Sequence, residues 1–333
     1  MTVLVTGAAG FIGNALCKSL LEQDYEVVGV DNLNDYYSID LKKIRLSSLS
    51  HFSKFTFEKV DLADKKSSTN LFEYKNYSHV YHMAAQAGVR LKRDEFEKYI
   101  SSNIVAFTNI LNDSISAGVP NFLYASSSSV YGDSEDLTLS EVNTQNFPTS
   151  YYGSTKLFNE HIARILSKGS STKTRGLRFF TVYGPMGRPD MAYFRIINSI
   201  LSSTSFRLLG DGTIKRDFTY IDDVIESVIR LANHLDTINS QHTDLVNVGG
   251  GHPQSLLDLI ETSERLTGKK LTIIKDTADL SDVKSTNADT SLIENLINFK
   301  PSIPIEIGIA NFIKWAKSPS AKQKLNDWVE STI

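Results

Sequence analysis

A tyrosine and a lysine stand four residues apart in Tyr152-Gly153-Ser154-Thr155-Lys156, a spacing that places both side chains on one face of a helix. The residues that follow, Leu157, Phe158, Ile162, Ile165 and Leu166, continue a helical apolar pattern. A phenol, with an ordinary pKa of about 10, is a poor base. A neighbouring ammonium favours the phenolate and draws it toward the near-neutral range that suits proton transfer. Such a pair also arises by chance in many helices, so its meaning depends on its surroundings.

A second chemical stretch lies at the start. Thr6-Gly7-Ala8-Ala9-Gly10-Phe11-Ile12-Gly13 follows an apolar run and opens a helical pattern. Small residues there let the backbone approach a pyrophosphate, and a helix N-terminus supplies N–H groups and a positive dipole end. The spacing is G-x-x-G-x-x-G, and a tight turn that simply requires glycine is the competing reading. Asp31 ends the second apolar run, where a carboxylate accepts the ribose 2′-OH of NAD. It would repel a 2′-phosphate, and no arginine follows at Asn32 or Leu33, so NAD is expected over NADP. Asp61 either holds the adenine amino group or caps the next helix.

The elements that must position these groups alternate as βαβ units do. Strands are expected at 3–6, 26–31, 55–60, 79–82, 122–126 and 177–180, with helices at 11–22, 41–49, 68–74, 96–117 and 152–166. That order implies an α/β fold with a doubly wound, parallel, Rossmann-type sheet and a smaller C-terminal substrate-binding lobe. The dinucleotide domain is expected to span 1–180, with 217–248 returning to it; 181–216 and 249–333 form the smaller lobe. There the pattern reads as a helix at 193–201, a strand at 206–209 and a helix at 224–235 with Asp222 as its N-cap. A strand at 245–248, a helix capped by Ser255, a strand at 271–274 and helices at 292–297 and 305–316 complete it.

Bulk properties exclude other classes. In 333 residues, Lys+Arg 35 against Asp+Glu 38 gives a formal charge of -3, with no footprint for nucleic acid or an anionic membrane. No apolar run approaches the roughly 20 residues of a membrane span, and no secretory leader is visible. One cysteine, Cys17, excludes a disulfide framework and suits a reducing compartment, so a cytoplasmic location is expected. His79, His82 and His161 lack companions for a metal site and are assigned to packing. The serine run 126–129 lacks the G-x-S-x-G elbow of a serine hydrolase.

In this order the features resemble an extended short-chain dehydrogenase/reductase: the glycine turn, Asp31, Ala84-Ala85, Asn103, the serine run before Val130-Tyr131-Gly132, and Tyr152 with Lys156. The resemblance implies bound NAD, held by Gly7, Gly10, Phe11, Ile12, Gly13, Asp31, Asn32, Asp61 and Leu62. Ala84, Ala85, Gln86, Asn103, Ser126, Tyr152, Lys156 and Phe180 complete the implied cofactor set. It further implies that Tyr152 exchanges a proton with a sugar hydroxyl, that Lys156 holds the nicotinamide ribose, and that Ser127 bonds the same sugar oxygen. Ser128 and Ser129 remain alternatives for that serine.

Longer runs narrow the resemblance to nucleotide-sugar epimerases, those acting on UDP-glucuronate above all. They are Met83–Arg90, Tyr124–Gly132, Arg178–Ala192, Lys215–Asp223 and Asn247–Gly251. The chain departs from that pattern at Gly153-Ser154, where alanines are common, and at 279–283, where a proline-glycine turn is usual. The implied reaction is oxidation of the sugar at C4, rotation of the 4-keto sugar, and reduction from the opposite face. Related dehydratases carry an Asp-Glu pair where this chain has Ser128 and Ser129, so epimerisation is favoured over water elimination. The implied substrate contacts are Arg90, Ser127, Ser128, Thr181, Arg188, Met191, Tyr193 and Arg216. Arg188 suits a uronate carboxylate because a guanidinium can bond both oxygens; a surface position after the Gly-Pro turn is its alternative. Arg216 suits the diphosphate. A 4-epimerase for neutral or N-acetylated UDP-hexoses and a non-catalytic NAD-binding scaffold are the competing functions. A homodimer through the 96–117 and 152–166 helices is implied by the resemblance alone.

Overall fold

The structure is a computed structural model that describes residues 1–73, 75–88, 95–134, 136, 138–142, 147–277 and 285–331. Arg90 and the stretch 279–283 therefore lie outside the described residues.

The first half is built from β1 (Thr2–Thr6), α1 (Phe11–Glu22), β2 (Glu26–Asp31), α2 (Ile39–Ser47), β3 (Phe55–Lys59), α3 (Lys65–Asn70) and β4 (His79–His82). Then come α4 (Phe96–Tyr99), a π turn (Ile100–Val105), α5 (Ala106–Ser116), β5 (Asn121–Ser127), a 3-10 turn (Ser128–Tyr131), α6 (Tyr151–Leu166) and β6 (Lys173–Phe179). The central strands β1 and β2 carry buried apolar stretches, Val3-Leu4-Val5 and Val27-Val28, as strands of a parallel sheet covered on both faces do.

The second half contains β7 (Thr181–Tyr183), α7 (Ala192–Ser202), β8 (Ser205–Leu209), β9 (Lys215–Tyr220), α8 (Ile221–Asp236), β10 (Thr243–Val248) and β11 (Pro253–Ser255). It ends with α9 (Leu256–Thr267), β12 (Thr272–Asp276), α10 (Ser291–Ile297), α11 (Ile305–Ala316), α12 (Pro319–Lys322) and α13 (Leu325–Glu330). Strands β10-β6-β5-β4-β1-β2-β3 form one seven-stranded sheet, parallel throughout. A three-stranded sheet β11-β9-β7 and a pair β12-β8 stand beside it. In the large sheet β2 and β4 flank β1, so the strand order reverses at β1, and the crevice above that point is where ligands bind in open α/β sheets.

Several local expectations shift. The 96–117 helix is interrupted by the π turn, which brings Asn103 to a buried position. The 68–74 helix starts earlier, at Lys65, because the Asp64 carboxylate accepts from the Ser67 N–H at 2.9 Å. Asp222 is not an N-cap: α8 starts straight off β9 with Tyr220 as its cap, and Asp222 sits in the first turn, where its charge suits the dipole. Ser255 does cap α9, through a reciprocal box with Asp258. Strands β7, β9 and β11 were not expected, since each is short or opens with charged residues and finds its partners far away in sequence.

Candidate active site

A cleft of about 920 Å³ opens along the C-terminal ends of β1, β2, β4 and β5. Its first wall is the turn between β1 and α1. Gly7 has φ +72, and a Cβ on Gly13 would lie 2.1 Å from the Gly7 carbonyl oxygen, so the loop packs against α1 only without side chains. No side chain caps α1 at Gly10, which leaves its opening N–H groups for an anion. Asp31 ends β2 with one oxygen accepting from the Leu33 N–H at 2.8 Å and the other from the Ala9 N–H at 3.2 Å. Asn32, Asp61 and Leu62 line the same end. Asp61 does not cap α3, a role Asp64 fills; its own oxygen accepts from the Ala63 N–H at 3.0 Å. An uncapped helix end, a loop of glycines and alanines and a carboxylate at the second strand fit a dinucleotide carrying a free ribose 2′-OH.

Behind this wall, the Thr6 hydroxyl accepts from the Ala84 N–H at 3.1 Å and meets His82 Nδ1 at 2.9 Å. Burial holds His82 neutral, pushing it down to about 3. Ala84, Ala85 and Gln86 line the cleft; Asn103 does not. Asn103 instead pairs with the Gln86 backbone in both directions, at 2.7 and 3.0 Å, and donates to Thr155 Oγ1 at 3.0 Å. The π turn swings it there, and it locks the cofactor-side loop to α6 from behind.

α6 is capped by Ser150, whose hydroxyl accepts from the Gly153 N–H, and it brings Tyr152 and Lys156 to the cleft. Lys156 is 1% exposed; its Nζ donates to the Ala125 carbonyl at 2.9 Å and lies 5.8 Å from the Tyr152 ring centroid. Burial pushes the ammonium down to about 7, with Glu160 acting the other way. The phenol differs from expectation. Burial raises the Tyr152 pKa, and the groups that offset it are Arg188 and the Ser127 hydroxyl. Lys156 turns its Nζ to the Ala125 carbonyl.

Ser127 is thus the serine that meets the phenol. Its hydroxyl donates to Ser129 Oγ and accepts from the Ser129 N–H, both at 3.1 Å, and Ser128 also lines the cleft. Ser126 turns its side chain away to Glu160 at 2.5 Å. Phe180 sits nearby, 6% exposed.

Thr181, Arg188, Met191 and Arg216 line the far half of the cleft. Arg188 is no surface residue: its side chain and that of Asp190 are 22% and 19% exposed. Its Nε donates to Asp190 Oδ1 at 3.0 Å, its Nη2 bonds the other carboxylate oxygen, and Tyr36 donates to Asp190 at 3.3 Å. Tyr193 does not reach the cleft. It lies on the buried stripe of α7, fully covered, with its hydroxyl donating to the Gly184 carbonyl at 3.3 Å and its ring against Phe312. Tyr36 and Asp190 escaped sequence reasoning, though an aspartate two residues after Arg188 was a visible signal. Among the described residues no cluster of His, Cys, Asp and Glu could hold a metal ion, and no helix is long and apolar enough to cross a membrane.

Comparison with known proteins agrees with this geometry. Residues 3–249 match the family described as "NAD dependent epimerase/dehydratase family". The chain is 39% identical over 320 residues to a UDP-glucuronate 4-epimerase of Thermodesulfobacterium geofontis, covering 94% of this chain and 95% of that one. It is 38% identical over 330 residues to protein CapI of Staphylococcus aureus, covering 95% and 98%. A crystal structure of UDP-glucuronic acid 4-epimerase from Bacillus cereus, in complex with UDP-glucuronic acid and NAD, superposes with a TM-score of 0.88 at 35% identity, over 95% of this chain and 99% of that one.

Proposed function

This chain belongs to the NAD dependent epimerase/dehydratase family, and from that premise we propose that it interconverts UDP-glucuronate and UDP-galacturonate by 4-epimerisation. The observation that carries this reading is the turn beside Tyr152, which presents hydroxyls from Ser127, Ser128 and Ser129 and no carboxylate. Without an acid and base there, a 4-keto sugar is not steered into elimination.

In the proposed mechanism the turn Gly7–Gly13, Asp31 and Lys156 hold NAD, which when bound supplies reversible hydride acceptance at C4 of the sugar. Tyr152 Oη takes the proton of the C4 hydroxyl and gives it back after the sugar has turned. Ser127 bonds the same phenol and orients the sugar oxygen toward it. Arg188 opposes the penalty of a buried phenolate and faces the uronate carboxylate with its remaining N–H groups. Arg216 faces the diphosphate. We assign 1–180 with the returning segment 217–248 to the dinucleotide and 181–216 with 249–333 to the nucleotide sugar, place the enzyme in the cytoplasm, and expect it to work as a homodimer.

A neutral UDP-hexose is the second reading, favoured by the Asp190 carboxylate that already engages Nε and Nη2 of Arg188. Following anomeric protons by NMR with UDP-glucuronate and UDP-glucose separates the two. UDP-galacturonate formed without carbon dioxide supports the first reading, turnover of UDP-glucose alone supports the second, and no turnover of either sinks both. Arg188→Ala is expected to cost uronate turnover about 10-fold more than hexose turnover; equal losses remove the carboxylate role.

A further inference from the structure

One turn beyond Lys156, on the same face of α6, stands a carboxylate that the proton-transfer chemistry leaves unused. Lys156 and Glu160 are 1% and 6% exposed, and Arg178 on β6 is 1% exposed. Glu160 Oε1 accepts from Ser126 Oγ at 2.5 Å and from Arg178 Nε at 2.8 Å, and Oε2 accepts from Arg178 Nη2 at 2.7 Å. Lys156 and Glu160 therefore grip adjacent residues of β5, Ala125 and Ser126, immediately before Ser127. From the other side the Arg178 guanidinium lies 4.6 Å from the Tyr131 ring centroid, and Tyr131 donates to Asn247 Oδ1 at 2.7 Å. The serine turn is thus held at both ends by one network. A fully buried ion pair is poor value for stability alone, since its desolvation cost can exceed its Coulombic gain, and Arg178 Nη1 is left without a hydrogen-bond partner.

We propose that Glu160 and Arg178 are positioning residues for Lys156: Glu160 supplies the counter-charge that keeps this side chain an ammonium during turnover, and Arg178 moderates that counter-charge by pairing with it. Burial pushes Lys156 down and Glu160 acts against it. The other titratable groups on the elements packed here do not replace Glu160. His82 on β4 is held neutral, and Tyr124 on β5 is buried and keeps its proton, its pKa raised. Tyr152 on α6 has its pKa raised by burial, and Arg188, from the loop before α7, is a cation.

The kinetic half of the test rests on the epimerase reading; a spectroscopic half does not. NAD-loaded protein is assayed for kcat and KM through the neutral and alkaline range, and the Lys156 side chain is titrated by NMR in protein labelled with [ε-13C]lysine, assigned by its loss in Lys156→Met. Glu160→Gln is expected to lower the midpoint of the alkaline loss of kcat by about one pH unit or more, the size typical of a neighbouring charge, with KM little changed. Arg178→Met, which frees Glu160, is expected to move the midpoint upward. Glu160→Asp keeps the charge and is expected to keep the midpoint while kcat falls. Unmoved midpoints, or shifts in the same direction for both charge-removing variants, overturn the proposal. If only one of them folds, the sign of its shift decides. If the wild type turns over no sugar, the epimerase reading fails while the NMR midpoints still decide this one.

Discussion

At Gly153 two effects of similar size compete. Replacing a glycine inside a helix by alanine ordinarily stabilises by about 1 kcal/mol. Here a Cβ would lie 2.5 Å from the Ser129 carbonyl oxygen and 3.0 Å from Pro148 Cβ, and relieving such a contact typically costs about 1–3 kcal/mol. The obstacle is backbone, so the clash wins. Gly153→Ala is expected to lower the melting temperature and to cut kcat about 10-fold or more by pushing the serine turn away from Tyr152, while KM changes little. A higher melting temperature with unchanged kcat would show that the turn does not need this close approach. The glycine was legible in sequence only as a departure from a more common alanine; its reason is a contact with a residue on another element.

At the scale of elements, α2 joins the two halves of the cleft through one side chain. Arg45 is fully buried and donates to the Ala9 carbonyl at 3.0 Å, the Tyr37 hydroxyl at 2.6 Å, the Met186 carbonyl at 2.7 and 3.0 Å, and the Gly187 carbonyl at 2.9 Å. It ties the glycine turn to the loop that presents Arg188. Each buried carbonyl left without a donor costs about 1–3 kcal/mol, and a lysine cannot reproduce the planar fork. Arg45→Lys is therefore expected to reduce both the NAD content of the purified protein, read by absorbance and mass, and kcat. A variant that keeps its full NAD content with normal turnover would remove this link. Nothing in the polar pattern of α2 announces the role, because every carbonyl it serves lies on another loop.

At the scale of the whole molecule, apolar side chains remain uncovered along the helices beside the site. Phe96 is 43%, Val105 40% and Tyr151 46% exposed, and they lie on α4, the π turn and α6. A second copy packed there would cover them and brace the helix that carries Tyr152 and Lys156. Light scattering of the wild type is expected to give twice the 37.1 kDa of one chain, and Val105→Asp is expected to return it to one. A wild-type mass of a single chain would rule out the dimer.

The amino-acid sequence alone determined the alternation of strands and helices, the glycine turn with Asp31, and the Tyr152–Lys156 pair, because each depends on periodicity or spacing within a few residues. It also carried the absence of carboxylates at 128 and 129. Only the tertiary structure decided that Ser127 meets the phenol, that Asn103 works from behind the cleft, that Tyr193 belongs to the core, and that Asp190 holds Arg188. The same is true of Glu160 with Arg178 and of Arg45 with the loop at Met186, contacts 18 and 141 residues apart in sequence. Such pairs are set by which strands the crossovers place side by side, and the tyrosine's proton affinity follows from the burial and charges that this packing creates.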